Sequence, residues 1–416
     1  MRRGVAGSVV AVAAALSLMA CSSGGPGAGE GENGSTLTIW HYFRAGGQLE
    51  ALEAQNQLFR ESNPDVELDV VEVPSDQVVQ RLLATASTQE GPDVLFDNVV
   101  VDFPTLAGSG VLHDLTDYWN GYDEAGQFPD SAIWEFEDGI YNVMSYANLL
   151  ALYYNEDALE ESGIEPPQTI DEFDEALRTV NEDGQYTPLI VAGDPGVTTA
   201  WSFFPQLLGE GVDYCSIDEP AVQEVFERVE SWAAEGIIPP DAASYDQTDA
   251  WQPFMTGNYA FAINGNWNLA AAADADFDVG TVRYPAGSEG SHVFPGGEGI
   301  AIGAFSENPD LAWEYIQAAF LSEEGSQLNY ENSGQIPLRS DVAGEIDFEE
   351  NPLILPFVEA TQDTGAWPEN ENTAQMQMAF GQAISSLISG QTTATDAAQE
   401  AVANINSARE EGGGGC

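Results

Sequence analysis

Asp138–Val180 reads DGIYNVMSYANLLALYYNEDALEESGIEPPQTIDEFDEALRTV, and this stretch decides the fold. A polar turn, Asp138-Gly139, opens it. The apolar run Leu149-Leu150-Ala151-Leu152-Tyr153-Tyr154 has the length of one buried strand, and Asn155-Glu156-Asp157 ends it. A short helix is expected around Ala158–Ser162, stopped at Gly163. Pro166-Pro167 forces extended backbone, because the ring fixes φ and disfavours helix in the residue before it. Thr169 with Glu172 three residues on has the pattern of a capping box. Ile170, Phe173, Leu177 and Val180 recur at helical spacing and give that helix one apolar face. A strand, a proline elbow and a capped helix together make an α/β unit.

The same alternation extends in both directions. Towards the N-terminus, Leu37–Trp40 predicts a strand, and Leu49, Leu52, Asn56 and Phe59 a helix face. Val66, Leu68 and Val70 alternate like a strand, and Ser75 is placed to cap a helix bearing Val78, Val79, Leu82 and Leu83. Asp93–Phe96 is the next strand. Towards the C-terminus, Pro188–Ala192 is a strand, Pro220 opens a helix containing Trp232, and Tyr259–Ile263 is a strand running into Gly265-Asn266-Trp267. Helices are expected over Pro309–Leu321, over Leu353–Ser389 in two pieces around Trp367-Pro368, and over Asp396–Arg409. Strands alternating with helices mean a parallel or mixed sheet. Such sheets take ligands outside the carboxyl ends of their strands, which marks Trp40–Phe43 and Asp97-Asn98.

At 416 residues the chain exceeds one simple core, so two domains are expected. All ten basic residues are arginine, against 69 acids, for a net charge of −59. So acidic a surface repels nucleic acid and anionic lipid. It also repels itself, except in concentrated salt, where the screening length falls to roughly 3 Å at 1 M. Adaptation to salty surroundings accounts for the charge; attraction of a cationic ligand is the rival account.

Several motifs carry a family resemblance. The run G-x-Y-x-x-x-x-Y…A-L-Y-Y-N-x-D-x-L…G-I-x-P-P-x-T-x-x-E-F over Gly139–Phe173 resembles the first crossover of the family 1 extracellular solute-binding proteins, the sugar-binding lipoproteins of ATP-driven importers. Phe254–Trp267 is similar to that family's F-x-x-G-x-x-A-x-x-x-x-G-x-W. Pro295–Gly299, with Gly297 at its centre, looks like the return crossover, and Gly334–Pro337 like a third crossing. The resemblance implies a two-lobed α/β periplasmic-binding-protein-like fold of type II, with three crossovers forming a hinge and the ligand in the cleft between lobes. It places lobe one at 36–147 plus 297–334, lobe two at 148–296 plus 335–411, and a tail at 412–416. It further implies a monomer with a carbohydrate ligand, the transmembrane subunits of an ABC permease as partners, and no cofactor.

Residues 1–20 form a signal peptide, with Arg2-Arg3 followed by the apolar run Val9–Leu18. Leu18-Met19-Ala20-Cys21 resembles a lipobox, which implies acylation of Cys21 and a place on the outer face of the cytoplasmic membrane. Residues 21–35 are then a Gly/Ser-rich tether. Cys215 and Cys416 either pair or stay free; their spacing requires neither.

Reactive constellations are missing from the sequence. His41, His113 and His292 are scattered, Ser202 lies in no G-x-S-x-G elbow, and no phosphate-binding loop follows a strand. Strand alternation puts Tyr153 and Tyr154 on opposite faces, against a paired-tyrosine metal site. Aromatics remain. Trp232 and Trp313 sit inside helices and are core, whereas Trp201, Trp267 and Trp367 are expected in Gly-, Ser- or Pro-containing turns. A flat ring can cover the C–H face of a pyranose while short polar side chains bond its hydroxyls. His41, Asp97, Asn98 and Asn148 are the polar candidates. The rival functions are a lipid-anchored carbohydrate-active enzyme and a binder of a cationic solute such as a polyamine.

Overall fold

Twelve strands organise the residues described by the computed structural model, which are 35–347, 351–368 and 370–415. In chain order they are β1 (Thr36–His41), β2 (Glu67–Glu72), β3 (Val94–Asn98), β4 (Ile133–Phe136), β5 (Gly139–Val143), β6 (Tyr146–Ala147), β7 (Leu150–Asn155), β8 (Thr187–Ile190), β9 (Tyr259–Gly265), β10 (Val279–Arg283), β11 (Glu298–Ile302) and β12 (Ile336–Pro337). The signal peptide, Cys21 and Cys416 lie outside the described residues.

Two sheets form. The first has the order β2-β1-β3-β11-β5-β4, with β1 parallel to β2 and β3, and β11 antiparallel to β3. The second has the order β10-β7-β9-β8, with β8 parallel to β9 and the other pairs antiparallel. The chain crosses between them three times. It leaves the first sheet after β5, returns from β10 to β11, and passes a third time through β12. The crossings are bonded to one another. Asn148 and Gly296 exchange two backbone hydrogen bonds of 2.9 Å, and β6 pairs with β12.

Side-chain alternation explains why the first sheet is covered on both faces. Val94 and Phe96 of β3, with Ile300 and Ile302 of β11, enter one apolar cluster; Leu95 and Ala301 between them enter another. The second sheet carries the largest cluster, in which Trp232 is fully buried and its Nε1–H donates to Asp174 at 2.7 Å.

The central stretch folds as its sequence predicts. Asn155 caps the helix Glu156–Ser162 through its side chain, and Gly163, at φ +68°, closes it in the left-handed region that glycine tolerates. Thr169 and Glu172 make both bonds of the capping box on the helix Ile170–Asp183. Tyr153 is buried and Tyr154 half-buried, as alternation requires.

Four expectations need correction. Leu49 is exposed, because it sits in the first turn of the helix Gly46–Ser62, roughly 90° from the centre of its buried stripe. Leu83 points away from the stripe Val78, Leu82, Thr85 and is also exposed. Ser75 caps nothing; it begins a 3-10 turn before the helix Val78–Thr88. Trp201 lies inside the helix Val197–Phe203 and not in a turn. The last expected helix runs longer, over Ala394–Glu411, and the residues after it are tied down, since Asn370 Nδ2 donates to the carbonyls of Arg409 and Gly415. Cys215 is in a disulfide, whose partner lies outside the described residues. No helix among the described residues is long and apolar enough to cross a membrane.

Candidate functional site

The carboxyl ends of β1 and β3 and the start of β11 lie side by side, because β11 runs antiparallel with Glu298 in register opposite Asn98. Their side chains build a buried polar cluster. Asp97 is wholly buried and both its oxygens accept from Asn142 Nδ2 on β5, at 2.8 and 3.0 Å. Glu298 accepts from Asn148 Nδ2 at 3.3 Å, and the Tyr146 hydroxyl lies against it. The buried Tyr42 hydroxyl, just after β1, faces the carboxyls of Glu298, Asp102 and Asp97 and makes no hydrogen bond of ordinary geometry.

Burial sets the electrostatics. It pushes the Glu298 and Asp102 carboxyls each up to about 7 and the Asp97 carboxyl well above the usual range, with neighbouring Asp102 adding to the rise at Asp97. The Asn142 and Asn148 Oδ1 atoms and the Ser145 Oγ are buried without a partner.

The second side of the site is aromatic, and it meets the first at Gly296. A Cβ there would lie 2.3 Å from Asn148 Oδ1 and 2.6 Å from the Trp201 ring, so only glycine lets the two sides approach. Trp201 and Trp367 have ring centroids 5.3 Å apart. Trp201 Nε1 donates to Gln377 at 2.6 Å and Trp367 Nε1 to the Pro295 carbonyl at 2.7 Å. Trp367 also stacks on Phe294 at 3.8 Å. Trp267 stands in the 3-10 turn Asn266–Asn268 directly after β9, half-buried, with its ring folded over Gly265.

Of the residues expected from sequence, Asp97, Asn148, Trp201 and Trp367 join this polar-aromatic junction. Gly297 flanks it at φ +158°, where a Cβ would strike Met144. Asn98 spends its side chain on the backbone N–H groups of Val100 and Val101. His41 is buried, its Nδ1 accepts from the Phe43 N–H, and the carboxylate acting on it is Glu72. Sequence reasoning marked Tyr42 only as part of the strand end Trp40–Phe43, and it did not select Glu298, Asp102 or Asn142. The one local signal was an acid inside the glycine-rich run 296–299.

The two halves also touch at the rim. Arg44, after β1, bonds Asp246 at 2.7 Å and Asp249 at 2.8 Å, both at the start of the helix Gln247–Phe254 that precedes β9. Two cavities lie away from the junction, around Arg339 and the helix Glu323–Ser333.

The profile of the family described as bacterial extracellular solute-binding protein matches residues 55–356. A maltotriose-binding protein of Pyrococcus abyssi is 23% identical, over 82% of this chain and 75% of that protein. A diacetylchitobiose binding protein of Streptomyces coelicolor is 26% identical, over 82% of this chain and 83% of that protein. In fold, the chain is similar to the GacH receptor of Streptomyces glaucescens, with a TM-score of 0.79 at 23% identity, covering 91% of this chain and 99% of that one.

Proposed function

The chain belongs to the bacterial extracellular solute-binding protein family, and from that premise we propose that it captures a sugar or oligosaccharide between its lobes and delivers it to an ABC permease. The observation that carries the ligand class is the junction at Gly296, where the Trp201–Trp367 pair meets the Glu298–Asn148 pair. Flat apolar rings beside short hydrogen-bonding side chains match the two surfaces of a pyranose. Asp97, Asn148, Trp201, Trp267, Gly297 and Trp367 are proposed as its contacts, with His41 and Asn98, whose side chains bond their own loops, proposed to hold the strand ends beside it.

The mechanism is hinge closure about the three crossings, with bound ligand favouring the closed form by bridging both sides. Lobe one takes 36–147 plus 297–334 and lobe two 148–296 plus 335–411. No catalytic step is assigned. A thermal-shift screen against mono- and oligosaccharides tests this. The expected result is stabilisation of roughly 2.7 kcal/mol at a hundred times the dissociation constant of a true ligand. No response to any sugar, or new reducing ends appearing in an oligosaccharide mixture, overturns it.

The anchor and the charge extend the proposal. Cys21 carries lipid after removal of residues 1–20, and holds the monomeric protein at the outer face of the cytoplasmic membrane. Acyl mass on the first mature peptide, and release of Cys21→Ser into the medium, are the expected outcomes. The acidic surface suits concentrated salt, so unfolding midpoints should rise from about 0.05 M towards 1 M sodium chloride. A flat curve would mean that the acids are locally compensated.

A further inference from the structure

The polar cluster holds far more acceptors than donors. Three carboxyls, Asp97, Asp102 and Glu298, are gathered at the ends of β3 and β11. Two buried amide oxygens, Asn142 Oδ1 and Asn148 Oδ1, also accept and have no donor. Each of these amides turns its nitrogen to a carboxyl, Asn142 to Asp97 and Asn148 to Glu298. The donors that face them are the Asn142 and Asn148 amide N–H groups, the Asn98 backbone N–H and the Tyr146 hydroxyl, all already given to the carboxyls, and the hydroxyls of Tyr42 and Ser145.

No protein cation answers the carboxyls. The chain has no lysine. Each of the eight arginines among the described residues bonds other groups. Buried carboxylates are paired or they neutralise, and an unpaired buried acceptor costs free energy. A neutral sugar hydroxyl brings one donor and no charge to this cluster, and its lone pairs can be met only by the hydroxyls of Tyr42 and Ser145. An ammonium brings up to three N–H donors, a positive charge and no acceptor.

Resting on the carbohydrate reading above, we infer that the preferred ligand is an amino sugar with a free, protonated amine, its nitrogen seated against Glu298 and the Asn148 amide oxygen beside Gly296 and its ring against the tryptophan pair. The upward titration of the three carboxyls fits this, because an entering cation would favour their charged forms. The Trp201 and Trp367 rings separate such a ligand from a linear polyamine, which offers them no flat C–H face.

The test is titration calorimetry on the mature protein with matched sugars. Glucosamine, galactosamine and chitobiose are each compared with the N-acetylated form and with the hydroxyl counterpart, and spermidine is the non-sugar cation. The expected result is that a free-amine sugar binds at least about tenfold tighter than both neutral counterparts. In Glu298→Gln that ratio should fall below about threefold, and Asp102→Asn serves if Glu298→Gln does not fold. Neutral sugars binding as tightly as their amine forms overturn the amine inference and leave the sugar reading standing. Spermidine binding without any sugar, or silence throughout, overturns both.

Discussion

Two halves of the molecule meet at one junction with opposite chemistry. The first sheet supplies carboxyls, amides and hydroxyls from β1, β3, β5 and β11, all buried and several without partners. The second half supplies tryptophans whose N–H groups are already satisfied, by Gln377 and by the Pro295 carbonyl. Unsatisfied groups on one side and finished groups on the other indicate a division of labour. The polar side is built to be completed by something it binds, while the aromatic side offers shape and asks for nothing further. A folded core does not leave so many buried acceptors on one side without cost.

The sharpest way to break this comparison is to show that the second half's tryptophans are all alike. Trp232 is fully buried in the largest apolar cluster. Trp232→Ala should therefore cost about 3–5 kcal/mol in denaturant unfolding, with affinity lost only through unfolding. If it is tolerated, the separation between core and junction tryptophans is wrong.

A second test addresses the polar side. Glu298 titrates at about 7 when folded, against the ordinary glutamate range when unfolded. The folded state therefore holds a proton that the unfolded state has lost between those limits. This group's contribution is greatest below the unfolded pKa and is lost as pH rises through about 7. The full effect is on the order of 3 kcal/mol. Thermal melts from about pH 5 to pH 8 should fall less steeply for Glu298→Gln than for the parent. Identical slopes would mean that the carboxyl is solvated, and the contrast would lose its polar half.

On the aromatic side, Trp267 is half-buried in a turn after β9. Trp267→Ala should weaken sugar binding at least about tenfold with the fold intact by circular dichroism. Wild-type affinity would confine the aromatic side to Trp201 and Trp367. The smallest effect belongs to the rim. The Arg44, Asp246 and Asp249 side chains are 44%, 30% and 47% exposed, so the pairs are surface ion pairs worth about 0.2–1 kcal/mol each. Arg44→Gln should speed ligand release less than about tenfold, and less still at 1 M salt. A larger or salt-independent change would make the rim part of the site.

What the sequence disclosed was local. The capping box at Thr169 and Glu172, the glycine stop at Gly163 and the alternation at Tyr153-Tyr154 each involve neighbours a few residues apart, where backbone chemistry decides. Asp97 and Asn148 were legible as polar residues at a strand end and a crossover. Glu298 was not, because its place depends on β11 lying between β3 and β5, which no local pattern reports. Arg44 was hidden for the same reason, its partners lying about two hundred residues away. Trp201 was misplaced because the Gly196 and Ser202 around it suggested a turn, whereas packing beside Trp367 and Gln377 accommodates a helix.

The position of β11 has a further consequence, for the order in which the chain is born. The strand sits inside the first sheet, between β3 and β5, yet it is encoded after all four strands of the second sheet. As the chain emerges from its N-terminus, the half that appears first lacks its middle strand and must wait. The half that appears second has every strand once Arg283 is out. We therefore expect the later-born sheet to be finished earlier. A chain ended at Pro295 should protect β7–β10 in hydrogen exchange and leave β1–β5 open, and protection of both sets would show that the first half closes without its centre.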